Sequence, residues 1–515
     1  MFRTIRAFFR LFTIARVLAR HDALALVEEQ GVAKPVVHLA RWLSGRRQPG
    51  RSGQKLARAF TDLGPSFIKL GQFISTRADL VGETMAADLA ELQDHLPPFD
   101  TATARGIVEG ELGDTIENLF AAFDAVPKSA ASIAQVHMAT TTDGRRVAVK
   151  VLRPRIERAF DRDLSLFYWI ADLAERAQPR LRRLKPTQLV ALFEEQVRIE
   201  MDLSLEAAAA HELSENFAGD PTYNVPQVDW QRTAPRVFTA TEIAGIRIDD
   251  REGLIAAGHD LDTVLERAAT IFFKQVFRDG YFHGDQHPGN MFIDAQGNVV
   301  AVDFGIMGRL DRPTRYFLAD MLLALLDRDY HRLATVFVAA GYLPAPDGTT
   351  HDLPVFAQAL RAISEPVFGQ PLREISFAKL LGQMFRLSES FRMEVQPQLL
   401  LLQKNMMMAE GVSRSLNPDL NTWQLAAPLI EDWMRENRGP EARIRETARD
   451  WARILGRLPE TLGRVEKVVA DIERGGLRLD AASSGGGANG WLKLAVALSA
   501  AALALAGVAV GVSIG

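Results

Sequence analysis

Five short groups of residues, in a fixed order, have the types that phosphoryl transfer from a nucleotide requires. They are Val147-Ala148-Val149-Lys150, the acidic residues Glu200 and Glu206, His283-Gly284-Asp285, Asn290, and Asp303-Phe304-Gly305. In such chemistry a lysine steadies the α/β-phosphates and pairs with a helix carboxylate. One aspartate orients the accepting hydroxyl, and an asparagine and a second aspartate hold the metal. Asp285 lies five residues before Asn290, and His283 two before Asp285, which is the step of a kinase catalytic loop. Each group alone is weak; order and spacing together predict a kinase-like protein that uses ATP and Mg2+, with Asp285 and Lys150 catalytic and Asn290 and Asp303 on the metal.

Each group also has a plainer reading. Lys150 could be a lysine on an ordinary edge strand, and Asp303 a turn aspartate at the end of the apolar run Val299–Val302. His283 and His287 are four apart, as in a zinc pair, but Pro288 denies them a common helix and no third ligand is evident. The loop from Tyr281 to Asn290 holds too much Gly and Pro for a helix, so it is expected to be constrained and to aim polar groups at a ligand.

Two features depart from protein kinases. The segment before Lys150 has no G-x-G-x-x-G. It reads Lys128, Ser129, Ala130, Ala131, Ser132, Ile133, Ala134, Gln135, Val136, with alanine where glycine would let backbone amides close on phosphates. These nine residues are expected to contact the nucleotide in an altered pose. No A-P-E segment follows Asp303 either; the chain runs through Arg312-Pro313-Thr314 into an apolar helix.

The elements that must position these residues follow from pattern. The chain has 515 residues, too many for one ordinary domain, with 47% hydrophobic and 24% charged residues. The expected fold class is α+β, a two-lobed protein-kinase-like fold with a small β-rich N-lobe, a helical C-lobe, an N-terminal helical extension and a C-terminal transmembrane helix. The expected boundaries are a basic amphipathic helix at 1–20, a helical extension at 21–100, the N-lobe at 101–245, the C-lobe at 246–425, a helical region at 426–480, a flexible linker at 481–490 and a membrane anchor at 491–515. Strand patches appear at Val126–Ala139, Arg146–Leu152 and Arg236–Ile243, with a turn at Asp143-Gly144. Arg155 to Phe217 reads as helix broken at Pro179 and Pro186. The net charge of −4 and the lack of a long basic run exclude a general nucleic-acid binder, and the absence of cysteine excludes disulfides and thiolate chemistry.

The two ends differ from the rest. Leu494 to Ile514 carries no charge, and about 20 residues at 1.5 Å rise match the hydrocarbon core of a bilayer. The alternative is a buried Ala-rich helix. Lys493, Arg478 and Arg474 precede this span, which puts the folded domain on the cytoplasmic side of the inner membrane, with one pass. Met1 to Arg20 gathers Arg3, Arg6, Arg10, Arg16 and Arg20 within one arc, opposite Ile5, Phe8, Leu11, Phe12, Ala15 and Leu18. That helix suits an anionic membrane surface; equally, it suits packing on the protein with the arginines in water.

From about Leu63 to Leu420 the chain resembles the UbiB family of atypical kinase-like proteins, linked to ubiquinone biosynthesis. The resemblance rests on Lys69-Leu70-Gly71-Gln72 (the K-x-G-Q motif), the alanine-rich loop followed by Ser132 to His137, Glu200-Met201-Asp202 with Glu206-Ala207, and Gln398–Leu402 through Glu410-Gly411-Val412. It implies that Lys150 pairs with Glu206, that Lys69 and Gln72 reach into the cleft from the extension, and that Glu200 and Asp202 anchor that extension, a regulatory set that excludes protein substrates. It also implies an ATP-dependent, membrane-associated ATPase or phosphotransferase that supports ubiquinone synthesis. Its partners would be membrane lipids, isoprenoid quinone precursors and other quinone-biosynthesis enzymes. Three departures stand out: His283-Gly284-Asp285-Gln286 in place of H-A-D-P, alanines where an asparagine usually follows Glu206-Ala207, and one apolar span where two are common. Two other functions share these residues. One is a small-molecule phosphotransferase of the aminoglycoside-kinase type; the other is a non-catalytic lipid-binding scaffold gated by nucleotide.

Overall fold

The computed structural model describes residues 2–23, 49–75, 77, 81–90, 92, 96–177, 185–342, 353–368, 376, 379–384, 396–418 and 422–438. Contacts divide the chain into Met1–Arg435 and Glu436–Gly515, and the fold below is that of the first unit. It opens with α1 (Phe2–Arg20), α2 (Ser52–Leu63), α3 (Pro65–Ser75) and α4 (Glu83–Ala90). Next come α5 (Thr101–Leu112), α6 (Ile116–Leu119), β1 (Phe120–Phe123), β2 (Ser129–Ala130), β3 (Ala134–Thr141) and β4 (Arg146–Leu152). Helices α7 (Ile156–Ala177), α8 (Pro186–Glu200) and α9 (Leu203–Asn216) precede β5 (Tyr223–Asn224) and β6 (Val237–Thr241). The C-terminal lobe has β7 (Ile246–Arg247), α10 (Arg251–Ala256), α11 (Leu261–Phe273), a π-helical turn Lys274–Asp279, β8 (Tyr281–His283), β9 (Met291–Ile293), β10 (Val299–Ala301) and β11 (Met307–Arg309). Helices α12 (Arg312–Leu326), α13 (Tyr330–Ala339), α14 (Leu353–Phe368), α15 (Pro397–Leu416) and α16 (Thr422–Arg438) follow.

The N-lobe sheet runs β1-β3-β4-β6, with β2 also on β3, and every pairing is antiparallel. The β3–β4 hairpin turns where Asp143-Gly144 predicts, with Gly144 at φ 87°. Alternation then sorts the two faces of the sheet. Ala139, Val147, Val149, Val151 and Val237 are fully buried with Val108 of α5 and Ile116 of α6. Val136 pairs with Lys150, and Lys150 with Phe238, so these three side chains share the opposite face. The strand expected over 126–139 is split: the Ala131 amide donates to the Ala134 carbonyl at 2.8 Å, turning the chain between β2 and β3.

The described parts of the stretch 155–217 are helical at Ile156–Ala177, Pro186–Glu200 and Leu203–Asn216, as the pattern predicts. A boundary falls at Pro186, as expected: it opens α8 in the first turn, where a missing N–H costs nothing, while Pro179 lies outside the described residues. The break that pattern did not give is at Met201-Asp202, where the Asp202 carboxylate accepts from the Ser204 amide and caps α9. The K-x-G-Q helix α3 packs on α7 and α8 through aromatic rings, with Phe67 edge-on to Phe167 at 5.1 Å and Phe73 5.5 Å from Phe193. Phe67 and Phe193 are buried, and side chains of this size contribute about 1.5–3 kcal/mol each when fully buried, which fixes the extension firmly to the lobe.

Helix α1 lies on the protein. Ile14 and Ala19 are buried, and Arg10 turns inward to meet Asp163 of α7 at 2.8 and 3.0 Å and the Phe67 ring at 5.4 Å. The arginine arc is therefore not wholly a solvent face, because a buried carboxylate draws one member in; Phe12, Arg16 and Arg20 stay exposed. Among the described residues no helix is long and apolar enough to cross a membrane. The span expected at Leu494–Ile514, the linker at 481–490 and the stretch beyond residue 438 lie outside the described residues.

Candidate nucleotide site

Strand β4 delivers Lys150 to the face of the sheet that is not packed under α5 and α6. Its ammonium donates to both Glu206 oxygens at 2.8 and 2.9 Å and to Asp303 Oδ1 at 3.1 Å. Residues 56 and 153 positions away thus converge on one nitrogen. Burial alone would lower the Lys150 ammonium, but the Asp303 and Glu206 carboxylates outweigh it and hold it above its ordinary value. Burial pushes the Glu206 carboxyl up to about 7, with Lys150 opposing and the Asp303 charge adding to the rise. Asp303, half-exposed in the cleft, is held well below the carboxylate range by Lys150, against burial, with help from the Lys69 ammonium. Its backbone is at φ 61°, a left-handed conformation that asparagine and aspartate tolerate best.

The loop after β8 carries Asp285. The His283 ring bridges the Val302 carbonyl at 3.1 Å and the Asp285 amide at 3.1 Å, so it braces the loop against the segment that leads to Asp303. Burial lowers its pKa, as suits a neutral brace. His287 instead accepts from the Gly289 amide at 3.1 Å. Asn290 donates from its amide to the Asp285 carbonyl at 3.0 Å and to Asp285 Oδ2 at 3.4 Å, which leaves its side-chain oxygen for a cation. The Val302 amide donates to the Asn290 carbonyl at 2.9 Å, placing Asn290 and Asp303 side by side. An amide oxygen beside a carboxylate suits a hard cation that keeps phosphate and water ligands. A Cβ on Gly284 would lie 2.8 Å from Ile306 Cγ2 and 3.0 Å from its carbonyl oxygen, so glycine lets this loop lie closer than alanine would.

The extension reaches the same cleft. Lys69 of α3 meets Glu200 at the end of α8 at 2.7 Å, with both side chains largely buried, and Gln196 donates to the other Glu200 oxygen at 3.1 Å. Gln72 stands one turn further along α3 and is partly buried. Asp202, expected to help hold the extension, is used as the cap of α9; a carboxylate at a helix start is drawn to the free amides there.

The alanine-rich loop divides. Val136 and Ala134 share the Lys150 face, and the Ala131 carbonyl is held by Arg153 at 2.7 and 2.9 Å. Ser129 and Ala130 form β2, the Lys128 amide donates to the Val136 carbonyl, and Ser132 and Ile133 are buried. Gln135 departs from its expected place beside nucleotide. It lies on the opposite face, where its amide accepts from Phe99 N–H at 2.9 Å and meets His137 at 2.8 Å, because β-strand alternation turns every second side chain away.

Sequence reasoning missed three residues on the catalytic loop. Lys404 of α15 meets Asp285 Oδ1 at 2.7 Å. Asn405 donates to the His283 carbonyl at 2.8 Å and accepts from the Gln286 amide at 3.1 Å. Gln275, in the π-helical turn, accepts from the His283 amide at 3.0 Å and the Gln286 side chain at 3.3 Å. A signal was present: Gln403-Lys404-Asn405 is a polar triplet inside the apolar run Leu399 to Met408.

A β-sheet lobe and a helical lobe with a strand lysine, a helix glutamate, a loop aspartate–asparagine pair and a strand-end aspartate between them define a kinase-like protein. The comparisons give the same class. Residues 91–337 match the ABC1 atypical kinase-like domain, and residues 360–421 the UbiB helical domain. A Marinobacter nauticus protein named "Probable protein kinase UbiB" is 40% identical over 474 residues, covering 91% of this chain and 86% of that relative. An Azotobacter vinelandii protein of the same name is 41% identical over 408 residues, covering 78% and 75%. A solved Mycobacterium tuberculosis chain, Rv3197 in complex with erythromycin, aligns over 76% of this chain and 98% of its own at 22% identity and TM-score 0.43, too loose to carry an argument. The chain belongs to the UbiB family of atypical kinase-like proteins.

Proposed function

We propose that this protein binds Mg·ATP in the cleft between its lobes and acts as a membrane-associated ATPase or phosphotransferase in support of ubiquinone biosynthesis. One observation carries the reading: the Lys150 ammonium lies within 3.1 Å of both Glu206 and Asp303, with Asp285 and Asn290 beside them. Val136, Ala148 and Phe238 offer an apolar wall for a base, Lys150 would steady the inner phosphates, and Asn290 and Asp303 would hold the cation. A bound Mg2+ neutralises phosphate charge as the terminal phosphoryl group leaves. Asp285 would take or orient the proton of the acceptor, water or a small hydroxyl compound. The Lys69–Glu200 pair across the cleft favours a small acceptor over an extended peptide.

The relatives' printed name and the UbiB helical domain support the quinone role. Isoprenoid quinone precursors stay in the bilayer, so the reading includes an inner-membrane location with the cleft on the cytoplasmic side. The test is Mg-dependent ATP binding and hydrolysis by the purified full-length chain, with and without liposomes, beside rescue of a quinone-deficient deletion strain. Wild type should do both and Asp303→Asn neither. Rescue by Asp303→Asn would mean that the metal site is dispensable and the catalytic reading wrong.

A further inference from the structure

Among the described residues, three lysines face carboxylates around the cleft, and two of them have a place in the reading so far. Lys150 is committed, since its ammonium donates to Glu206 twice and to Asp303 once. Lys69 is seated on Glu200. Lys404 enters from the far side on α15, outside the kinase-like domain proper and within the helical domain that follows it. Its ammonium is 2.7 Å from Asp285 Oδ1, and the pair is about one-third exposed on both sides.

The position of Asp285 fixes what Lys404 can reach. An acceptor hydroxyl must lie within about 2.6–3.2 Å of this carboxylate to lose its proton to it. The same oxygen must stand about 3–3.5 Å from the phosphorus it attacks. The phosphorus of a terminal phosphate would therefore stand at most about 9 Å from the ammonium, and a four-carbon stem that can swing would bring the charge to its outer oxygens. The neighbouring side chain keeps the helix in register with the loop. Asn405, fully buried, holds the His283 carbonyl and the Gln286 amide, one on each side of Asp285.

Resting on the Mg·ATP reading above, we infer that Lys404 is a terminal-phosphate lysine, supplied to the catalytic loop by the helical domain and parked on Asp285 until nucleotide arrives. The inner phosphates fall to Lys150, so loss of Lys404 weakens triphosphate binding and leaves diphosphate binding nearly intact. The alanine-rich loop, with fewer amides able to close on phosphates, makes such a donor more necessary.

The experiment measures affinities of the full-length protein for Mg·AMP-PNP and Mg·ADP by calorimetry, in wild type, Lys404→Met and Lys404→Arg, with thermal melts of each. The expected result is a loss of about 10-fold for AMP-PNP in Lys404→Met, the size of one charge-assisted bond, with ADP within about twofold. Lys404→Arg should recover most of the loss. Asn405→Ala, which loosens the loop and keeps the ammonium, should weaken both nucleotides alike. Equal losses for both in Lys404→Met, or none, would overturn the inference and leave the Mg·ATP reading standing. Failure of wild type to bind either nucleotide would remove that reading first, and this inference with it.

Discussion

At the scale of single residues, Asp303 joins charge and backbone in one position. Its φ of 61° suits asparagine nearly as well as aspartate, so Asp303→Asn removes charge with the least disturbance of the chain. Hydrolysis in that variant is expected to fall by about 100-fold or more, with ADP production as the readout. Asp303→Ala should also melt lower than Asp303→Asn, by about 1 kcal/mol, because a plain Cβ gains nothing in the left-handed region. Acidity gives an independent check. The carboxyl is held low by Lys150, so its contribution to folding is complete above the unfolded value, about 3.9, and is lost as pH falls through that value toward the folded one. The stability gap between wild type and Asp303→Asn, measured by urea unfolding, should shrink as pH falls from about 5 to below about 4. A gap that widened in acid would reverse the assignment.

At the scale of elements, Gly71 sets how the extension seats. A Cβ there would lie 2.3 Å from Leu92 Cδ1 and 2.8 Å from Phe60 Cδ2, so α3 would have to lift from α2. Gly71→Ala is expected to cost about 1–3 kcal/mol, and adding Leu92→Ala should cost less than the sum of the two single changes. Lifting α3 also draws Lys69 from Glu200, so nucleotide affinity should change in parallel with stability. Much of this level was legible: the β3–β4 hairpin from Asp143-Gly144, the strand that delivers Lys150, and the constrained loop around Asp285 all follow from local pattern. What pattern could not give is the use of a polar group once two elements meet. Asp202, which the family resemblance assigns to anchoring the extension, caps α9, and Gln135, which reads as part of a phosphate loop, braces Phe99. Lys404 and Asn405 were hidden because their partners lie 119 and 122 residues away.

At the scale of the whole molecule, distant ion pairs tie the first helix and the last helical domain to the kinase-like lobes. Arg10 reaches Asp163, which is 1% exposed and whose other ion pair among the described residues is with Arg162. Arg10→Ala should therefore destabilise the protein by about 1–3 kcal/mol in urea unfolding, well above the effect of an exposed arginine. The membrane span expected at Leu494–Ile514 rests on composition alone and lies outside the described residues. The same long reach governs the cleft. Among the described residues, Lys69, Lys150 and Lys404 each already sit on a carboxylate of the cleft, Glu200, Glu206 with Asp303, and Asp285 respectively. On the Mg·ATP reading, a bare nucleotide polyanion would gain little from ammoniums already compensated, and the divalent ion would travel in with its cargo. With chelator present, ATP should bind poorly and depend only weakly on potassium chloride, unlike an ordinary basic phosphate trap, which weakens steeply as salt rises.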